Sequence, residues 1–165
     1  MNKLIFKPIK DEDINFYLEC RNLFLNRKFS LSKSKITKLD HYIWWFSEKN
    51  RKSHVVIKNK KKIAILTEQI LVIDELKIIY TGFMSCYHNS DIIDLLKLIK
   101  WQNQRVSRHK NAVNIINVTK DNMFGNLHLK YFKFSKLSEE NNLYKIIKKK
   151  IGLNKKYNTY YKVLN

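Results

Sequence analysis

The sequence has few of the residues that interrupt or cross-link a chain. Its 165 residues include three glycines, one proline and two cysteines. This composition excludes collagen-like and linker-like segments. Two cysteines, Cys20 and Cys86, are too few for a disulfide framework, so we expect reduced thiols and a cytoplasmic location. No run of about 18 apolar residues occurs, so no membrane span is expected, and the first residues predict no signal peptide.

Arginine is also scarce, although the chain is strongly basic. Lys and Arg number 33 against 14 acidic residues, which gives a net charge of +19, yet only five of the basic residues are arginines. Paired hydrogen bonds to phosphates and bases favour arginine over lysine. Two interpretations stay open. The charge is either compositional drift on a solvated surface, or it attracts nucleotides, an acidic carrier protein or nucleic acid.

Apolar periodicity divides the chain into alternating strands and helices. Helices are predicted from residue 11 or 13 and over 38–46, 91–106 and 121–131. Strands are predicted over 4–9, 54–57, 63–66 with an extension over 69–73, 76–84, 113–118, near 132–134, and over 157–164. Residues 26–34 form the predicted loop, and the lysine-rich run 145–150 is most simply a solvated helix face. This order predicts one α/β domain over 1–165, a mixed central sheet with helices on both faces.

Three stretches of the sequence carry a family resemblance. They are Cys20-Arg21-Asn22 followed by His41 and Trp45-Phe46, the hairpin HVVIKNKKKIAIL, and the segment NIINVTKDNMFGNLHLKYFKF. In this order they resemble the GNAT N-acetyltransferases. The first stretch is similar to members that acetylate nucleotide-linked amino sugars, such as those of the pseudaminic acid pathway. The resemblance extends over most of the chain and implies the GNAT fold.

The resemblance implies an N-acyltransferase that uses acetyl-CoA, or another acyl thioester, to acylate a primary amine. The implied acceptor is an amino-sugar nucleotide of surface-glycan biosynthesis. Arg21 and Asn22 would bind its sugar or phosphate, and Trp45 would stack on a ring. His41 is the candidate base, since a neutral imidazole accepts the ammonium proton. The family's frequent general-acid tyrosine falls on Leu129, which makes the nearby Tyr131 the candidate acid.

The cofactor side of the resemblance depends on the fourth strand. In the family this strand splays from its neighbour, and its backbone pairs with the pantetheine arm, which assigns cofactor contacts to Gly82, Phe83, Met84 and Ser85. Asn122 would contact the same arm, although capping a helix is its simpler role. The family's glycine-rich phosphate loop corresponds here to residues 86–91, which contain no glycine.

Because that loop is degenerate, other partners stay open. An acidic acyl carrier protein is an alternative donor, and a GNAT-fold protein that binds or modifies nucleic acid without ordinary acetyl-CoA is the second hypothesis. The five histidines are scattered without ligand spacing, so no metal site is expected.

Overall fold

The fold was taken from a computed structural model, which describes residues 3–30, 32–73, 75–86, 91–151 and 156–165. A 3₁₀ turn over Asp11–Asp13 precedes the first helix. The elements follow in the order β1 Ile5–Pro8, α1 Ile14–Asn22, α2 Phe24–Lys28, α3 Lys38–Ser47, β2 His54–Lys58, β3 Lys61–Ile73, β4 Leu76–Ser85, α4 Ile92–Val106, β5 Ala112–Thr119, α5 Met123–Tyr131, β6 Ser135–Lys136, α6 Asn142–Ile151 and β7 Tyr157–Leu164.

The strands form one mixed sheet in the order β1-β2-β3-β4-β5-β7-β6. Strand β4 pairs with β5 in parallel, and every other neighbouring pair is antiparallel. The parallel pair is joined by the crossover helix α4, as a parallel connection requires. The predicted mixed α/β sheet is therefore confirmed.

Helices cover both faces of this sheet. On one face, Tyr17 of α1 and Trp45 of α3 pack on Ile65 of β3, and farther along α6 packs on β4 and β5. On the other face, α4 places Leu98 against β2 and β3, and α5 places Leu129 against β5. Alternate strand residues point to opposite faces, so one sheet supports both layers. No helix in the described ranges is long and apolar enough to cross a bilayer.

Three details differ from the sequence prediction. The predicted loop over 26–34 overlaps the short helix α2. The run 145–150 belongs to α6, which exposes its lysines but buries Tyr144 and Ile147 against the sheet. The strand expected near 132–134 lies at Ser135–Lys136, because Phe134 packs into the core around Leu129 and Tyr160. The last two differences arise from burial that local periodicity does not reveal, whereas α2 buries none of its residues.

The expectation of two reduced cysteines was wrong. Cys20, near the end of α1, is joined to Cys86, which follows β4, in a disulfide with a Cα–Cα distance of 5.1 Å. This distance lies within the range that a disulfide can bridge. The two residues are 66 positions apart in sequence, so only the packing of α1 on β4 brings them together. The bond ties the first helix to the end of the fourth strand.

Three buried histidines make stability sensitive to acid. Burial is the main cause that lowers the pKa of His41, His54 and His128 below the ordinary imidazole value. Below about pH 6.5 the unfolded chain therefore binds more protons than the folded chain, and stability falls as the pH falls. We expect the free energy of unfolding to drop by up to about 1.4 kcal/mol per pH unit for each such histidine.

Urea unfolding at several pH values between 7.5 and 5 measures this slope. The His41→Phe variant removes one of the three titrations and is expected to give a shallower slope, whatever its absolute stability. A free energy of unfolding that rises as the pH falls from 6.5 would contradict the prediction.

Candidate active site

Strands β4 and β5 separate halfway along their length. They pair in parallel only from Lys77 with Ala112 to Tyr80 with Ile115. Strand β4 continues to Ser85 on the β3 side, and β5 continues to Thr119 on the β7 side. In the described part of the chain, no ladder joins the two strands beyond Tyr80 and Ile115. A V-shaped opening therefore lies in the centre of the sheet.

Side chains on both faces hold the vertex of this opening. Thr81 Oγ1 donates a hydrogen bond to Asn114 Oδ1 at 2.8 Å, and both residues are buried on the face that carries α4 and α5. On the opposite face, Asn117 Nδ2 donates to the Tyr80 hydroxyl oxygen at 3.2 Å. These cross-strand bonds fix where the separation begins. The opening is thus held by specific side-chain hydrogen bonds between the two strands.

A cavity of about 790 Å³ extends through the opening. Its strand wall includes Gly82, Phe83, Met84 and Ser85 of β4 and Asn117 of β5. Two side-chain amides close its rim: Gln102 of α4 donates to the Gly82 carbonyl at 3.1 Å, and Asn26 donates to the Ser85 carbonyl at 2.7 Å. The volume is in the range of small-molecule and cofactor sites.

The wall on the side of α5 contains a histidine that is suited to proton transfer. His128 lines the cavity, is 7% exposed and contacts the rings of Phe83 and Phe124. Its Nδ1–H donates to the Phe124 carbonyl at 3.1 Å, because a carbonyl can only accept. The other nitrogen, Nε2, is then an acceptor in the neutral ring. Burial is the main cause that lowers the pKa of His128, so the ring is neutral near pH 7.

The wall on the side of α1 and α3 is aromatic and positively charged. Tyr17, Trp44, Arg21 and Arg51 line the cavity there. Burial raises the pKa of Tyr17 to about 12, although the two neighbouring guanidinium groups oppose the shift. The Tyr17 hydroxyl is therefore protonated at neutral pH. This side of the cavity presents a neutral donor and two cations to a ligand.

The structure brings six of the ten residues predicted from the sequence to this cavity. They are Arg21, Gly82, Phe83, Met84, Ser85 and Asn122. Asn122 also caps α5, since its side-chain oxygen accepts from Gly125 N at 2.8 Å. The backbone stretch expected to contact a pantetheine arm thus lies along the opening. The roles of these residues in binding are part of the proposal below.

The other four predicted residues lie outside the cavity lining. His41 is 2% exposed, packs among aromatic rings and donates from Nε2 to the Ile14 carbonyl at 3.0 Å. Trp45 is also buried, and its Nε1 donates to Asp11, while its neighbour Trp44 lines the cavity instead. Asn22 braces the following loop through both backbone groups of Ile36.

Tyr131 completes this second group. Its side chain is 77% exposed, and its ring contacts only Phe132 among the described aromatic rings. It lies at the last residue of α5, one helical turn beyond His128. Sequence reasoning missed His128 because a lone histidine carries no signal, whereas its spacing of three residues from Gly125, which packs against Val118 of β5, places it on the sheet-facing side of the helix. Arg51 had no sequence signal at all.

The predicted phosphate loop lies only partly in the described structure. Residues 87–90, which include His88, are outside the described residues. At the loop's end, Asp91 caps α4, because its carboxylate accepts from Ile93 N at 2.9 Å. A negative side chain therefore occupies one of the N–H donors that a phosphate would use at this helix start. The described residues contain no group of His, Cys, Asp and Glu that could hold a metal ion.

Comparison with known proteins identifies the fold. No family model matches the sequence, and no curated protein matches it. Solved structures do match, among them a domain from Methanocaldococcus jannaschii at 17% identity and a TM-score of 0.71, covering 98% of this chain and 99% of that one. A GNAT-family acetyltransferase from Streptococcus pneumoniae matches at 10% identity and a TM-score of 0.71, covering 99% and 100%.

A third match is the aminoglycoside acetyltransferase AAC(6')-Ib in complex with coenzyme A, at 7% identity and a TM-score of 0.72, covering 98% of this chain and 95% of that one. The chain therefore has the fold of the GNAT N-acetyltransferases over nearly its whole length.

Proposed function

We propose that residues 1–165 act as one N-acyltransferase that moves an acetyl group from acetyl-CoA to a primary amine. The observation that carries this proposal is the opening between β4 and β5, with a cavity that passes from α4 and α5 on one face to α1 and α3 on the other. Such a passage lets a thioester and an amine meet from opposite faces of the sheet. Similar structures that are acetyltransferases, one of them with coenzyme A, support this use of the fold.

In this mechanism the acyl donor lies along the separated part of β4. The backbone from Gly82 to Met84 would pair with the amide groups of the pantetheine arm, and its N–H groups would stabilise the oxyanion that forms as the amine attacks. Asn122, at the start of α5, would contact the same arm. The low exposure of the site strengthens such hydrogen bonds.

His128 takes the role of general base in the proposal. Its Nε2 accepts a proton from the acceptor's ammonium group, either directly or through one water, and the amine then attacks the thioester carbon. The nitrogen of the tetrahedral intermediate then gives up its surplus proton, directly or through water, to the expelled thiolate, which leaves as a thiol. The bond from Nδ1 to Phe124 holds the ring in the tautomer that this step needs. His41 is not retained as the base, because its Nε2 is engaged with Ile14.

Calorimetry with acetyl-CoA tests the donor. We expect saturable binding at millimolar or lower concentration. Because the Asp91 carboxylate puts a negative charge at the start of α4 and occupies one N–H donor there, acetyl-pantetheine is expected to bind about as tightly as acetyl-CoA. Adenosine 3′,5′-bisphosphate is expected to bind far more weakly. Absence of any heat with acetyl-CoA at millimolar concentration would remove it as the donor and leave an acylated carrier protein to be tried.

A cavity-filling variant tests whether acetyl-CoA binds in the opening between β4 and β5. Gly82→Leu adds a side chain where a Cβ atom would already lie 3.1 Å from Thr67 Oγ1. We expect it to abolish acetyl-CoA binding. The control is Val72→Leu on the neighbouring strand β3, where the native side chain is 70% exposed and remote from the cavity lining. Equal binding by both variants would place the donor elsewhere.

For the acceptor we propose an amino-sugar nucleotide of surface-glycan synthesis, acted on in the cytoplasm. Support comes from the resemblance of the Arg21 region, and from Trp44, whose ring lines the cavity and could stack on a sugar or base. In a reducing cytoplasm the Cys20–Cys86 bond would open to two thiols. Transfer of radiolabelled acetyl groups to a panel of nucleotide-linked amino sugars is the direct assay.

A second candidate function is nucleic-acid binding. The observation that favours it is the outer face of α6, where Lys145, Lys148, Lys149 and Lys150 are exposed together. A salt titration separates the two candidates, since contacts to phosphates weaken steeply with salt. Binding of RNA or DNA that survives moderate salt, together with no acetyl-CoA binding, would favour this second function.

A further inference from the structure

We propose that Arg21 and Arg51 form an anion-binding site inside the cavity, which holds an oxyanion group, phosphate or carboxylate, on the acceptor. The inference rests on the proposed function only in calling the ligand the acyl acceptor. Anion binding itself is tested without any acyl donor. It adds Arg51, which no sequence pattern singled out, and it states a chemical requirement that the acceptor must meet.

The first observation is that both guanidinium groups have an unused donor. Nη1 of Arg21 and Nη1 of Arg51 are each buried and have no hydrogen-bond partner among the described residues. Both side chains line the cavity. A buried donor without a partner is unusual in proteins, because its lost hydration is not replaced. Two such donors in one cavity indicate a missing acceptor of hydrogen bonds.

The second observation is that neither cation is neutralised. In the described ranges, neither guanidinium lies within 4.0 Å of a carboxylate oxygen in an ion pair. The described cavity lining contains two carboxylates, and both have other partners. Glu68 pairs with Arg105, and the oxygens of Glu48 accept from Asn50 N and from Gln69 Nε2, each at 2.8 Å. Asp11 also acts on Arg51 electrostatically, but its Oδ1 accepts from Trp45 Nε1.

The two cations act on the same hydroxyl group. Both interact electrostatically with the buried Tyr17 hydroxyl. Burial is the main cause that lowers the pKa of both guanidinium groups, which nevertheless stay protonated in proteins. Two positive charges and a neutral hydroxyl in one cavity lining form a suitable set for an oxyanion, since arginine presents a planar fork of donors.

Both arginines are held in place by other contacts. The Arg51 guanidinium carbon lies 3.5 Å from the centre of the Trp45 ring, in a cation–π contact. Arg21 donates from Nη2 to the Ser32 carbonyl at 2.8 Å. Each guanidinium group is thus held by one contact with the protein, while its Nη1 keeps a donor for a ligand. Such prior positioning lowers the entropy cost of binding.

The position of the pair assigns the anion to the acceptor. Arg21 follows Cys20 in α1, and Arg51 stacks on α3, so both belong to the α1 and α3 face of the sheet. His128 and Asn122 lie on the opposite face with α5, where the donor arm is proposed. An acceptor anchored by its anion at Tyr17 would extend its amine through the opening toward Nε2 of His128.

Calorimetry with inorganic pyrophosphate tests the site in the absence of acetyl-CoA. We expect saturable binding to the unmodified protein, weakened about 10- to 100-fold in Arg51→Gln and in Arg21→Gln. The matched control is Arg108→Gln, on an exposed residue beyond α4, which should bind as the unmodified protein does. Urea unfolding of each variant verifies that it is folded, and Arg51→Lys, which keeps the charge without the fork, should restore only part of the affinity.

Two further calorimetry experiments identify the chemical class of the anion and the face of the sheet on which it binds. Succinate in place of pyrophosphate distinguishes a carboxylate from a phosphate group. A repeat in saturating acetyl-CoA should leave the pyrophosphate affinity unchanged; competition would overturn the assignment to the acceptor. Equal weakening by Arg108→Gln, or no effect of either cavity substitution, would show surface binding by the basic chain and overturn the site. Anion binding without acetyl-CoA binding would instead reject the proposed transfer and retain the site.

Discussion

Replacing His128 with glutamine is expected to lower kcat for acetyl transfer by about 10²- to 10⁴-fold, the usual contribution of a positioned general base. Glutamine keeps a polar side chain of similar length but cannot take the ammonium proton. The assay follows release of the coenzyme A thiol with the best amine found in an acceptor panel. Binding of acetyl-CoA should change little, because His128 is assigned to proton transfer and the backbone of β4 to the arm.

The pH profile distinguishes a base from a residue that only shapes the cavity. His128 acts as a base only when neutral, so kcat/KM should fall as the pH falls through its pKa. Burial lowers that pKa, so the fall should be centred below the ordinary imidazole value of about 6.5. In His128→Gln this acid limb should disappear.

A matched control isolates the effect of position. His109→Gln makes the same exchange at a histidine that pairs with Glu68 and lies outside the cavity lining. Its kcat and its acid limb should match those of the unmodified protein. If His128→Gln retains full kcat and the acid limb, another group removes the proton and the proposed base is wrong.

Replacing Gly125 with alanine is expected to reduce the free energy of unfolding by about 1–3 kcal/mol. Local propensity alone predicts the reverse sign, since glycine to alanine within a helix usually gains up to about 1 kcal/mol. Here a Cβ atom would lie 2.6 Å from Val118 Cγ1 on β5 and 2.9 Å from Asn122 Cγ, so α5 would have to move away from the sheet. The hydrogen bond from Gly125 N to Asn122, which begins the helix, would be disturbed as well.

Urea unfolding measures this change, and Leu127→Ala in the same helix is the control. The Leu127 side chain is 64% exposed, so its truncation should alter stability by no more than about 0.5 kcal/mol. Greater stability of Gly125→Ala than of the unmodified protein would mean that α5 does not press on β5 as described. Because Asn122 lines the cavity, the alanine variant should also weaken acetyl-CoA binding.

Much of the architecture could be predicted from the sequence because local patterns decide it. Helix α4 shows this best: the apolar spacing over 91–106 and an acidic residue at its start predicted a helix that the structure has over Ile92–Val106, capped by Asp91. The buried strand β5 and the order of elements followed in the same way. Helix α6 was understood less well, because its run of lysines concealed an apolar side that includes Tyr144 and Ile147.

The candidate site was also predicted only in part: its backbone residues were predicted, but most of its side chains were not. Residues 82–85 could be placed in it because the family resemblance implied a backbone role for the end of the fourth strand, and such a role depends on strand order rather than on side chains. The side-chain roles in the site could not be predicted from the sequence, because they depend on whether each side chain points toward the cavity or into the core. His41 and Trp45 lie on α3 among aromatic residues, yet the helix turns both into the core and leaves Trp44 at the cavity.

The sequence by itself determined the mixed α/β fold and the absence of a glycine-rich phosphate loop, and the resemblance that it carries implied which strand opens the sheet. Each of these follows from residues close together in the chain. Only the tertiary structure decided the Cys20–Cys86 bond, the pairing of Arg21 with Arg51 in one cavity, and the place of His128 opposite them. These groups are far apart in sequence. The cysteines and the arginines meet because α1 and α3 pack on one face of the sheet, and His128 lies opposite them because α5 packs on the other face.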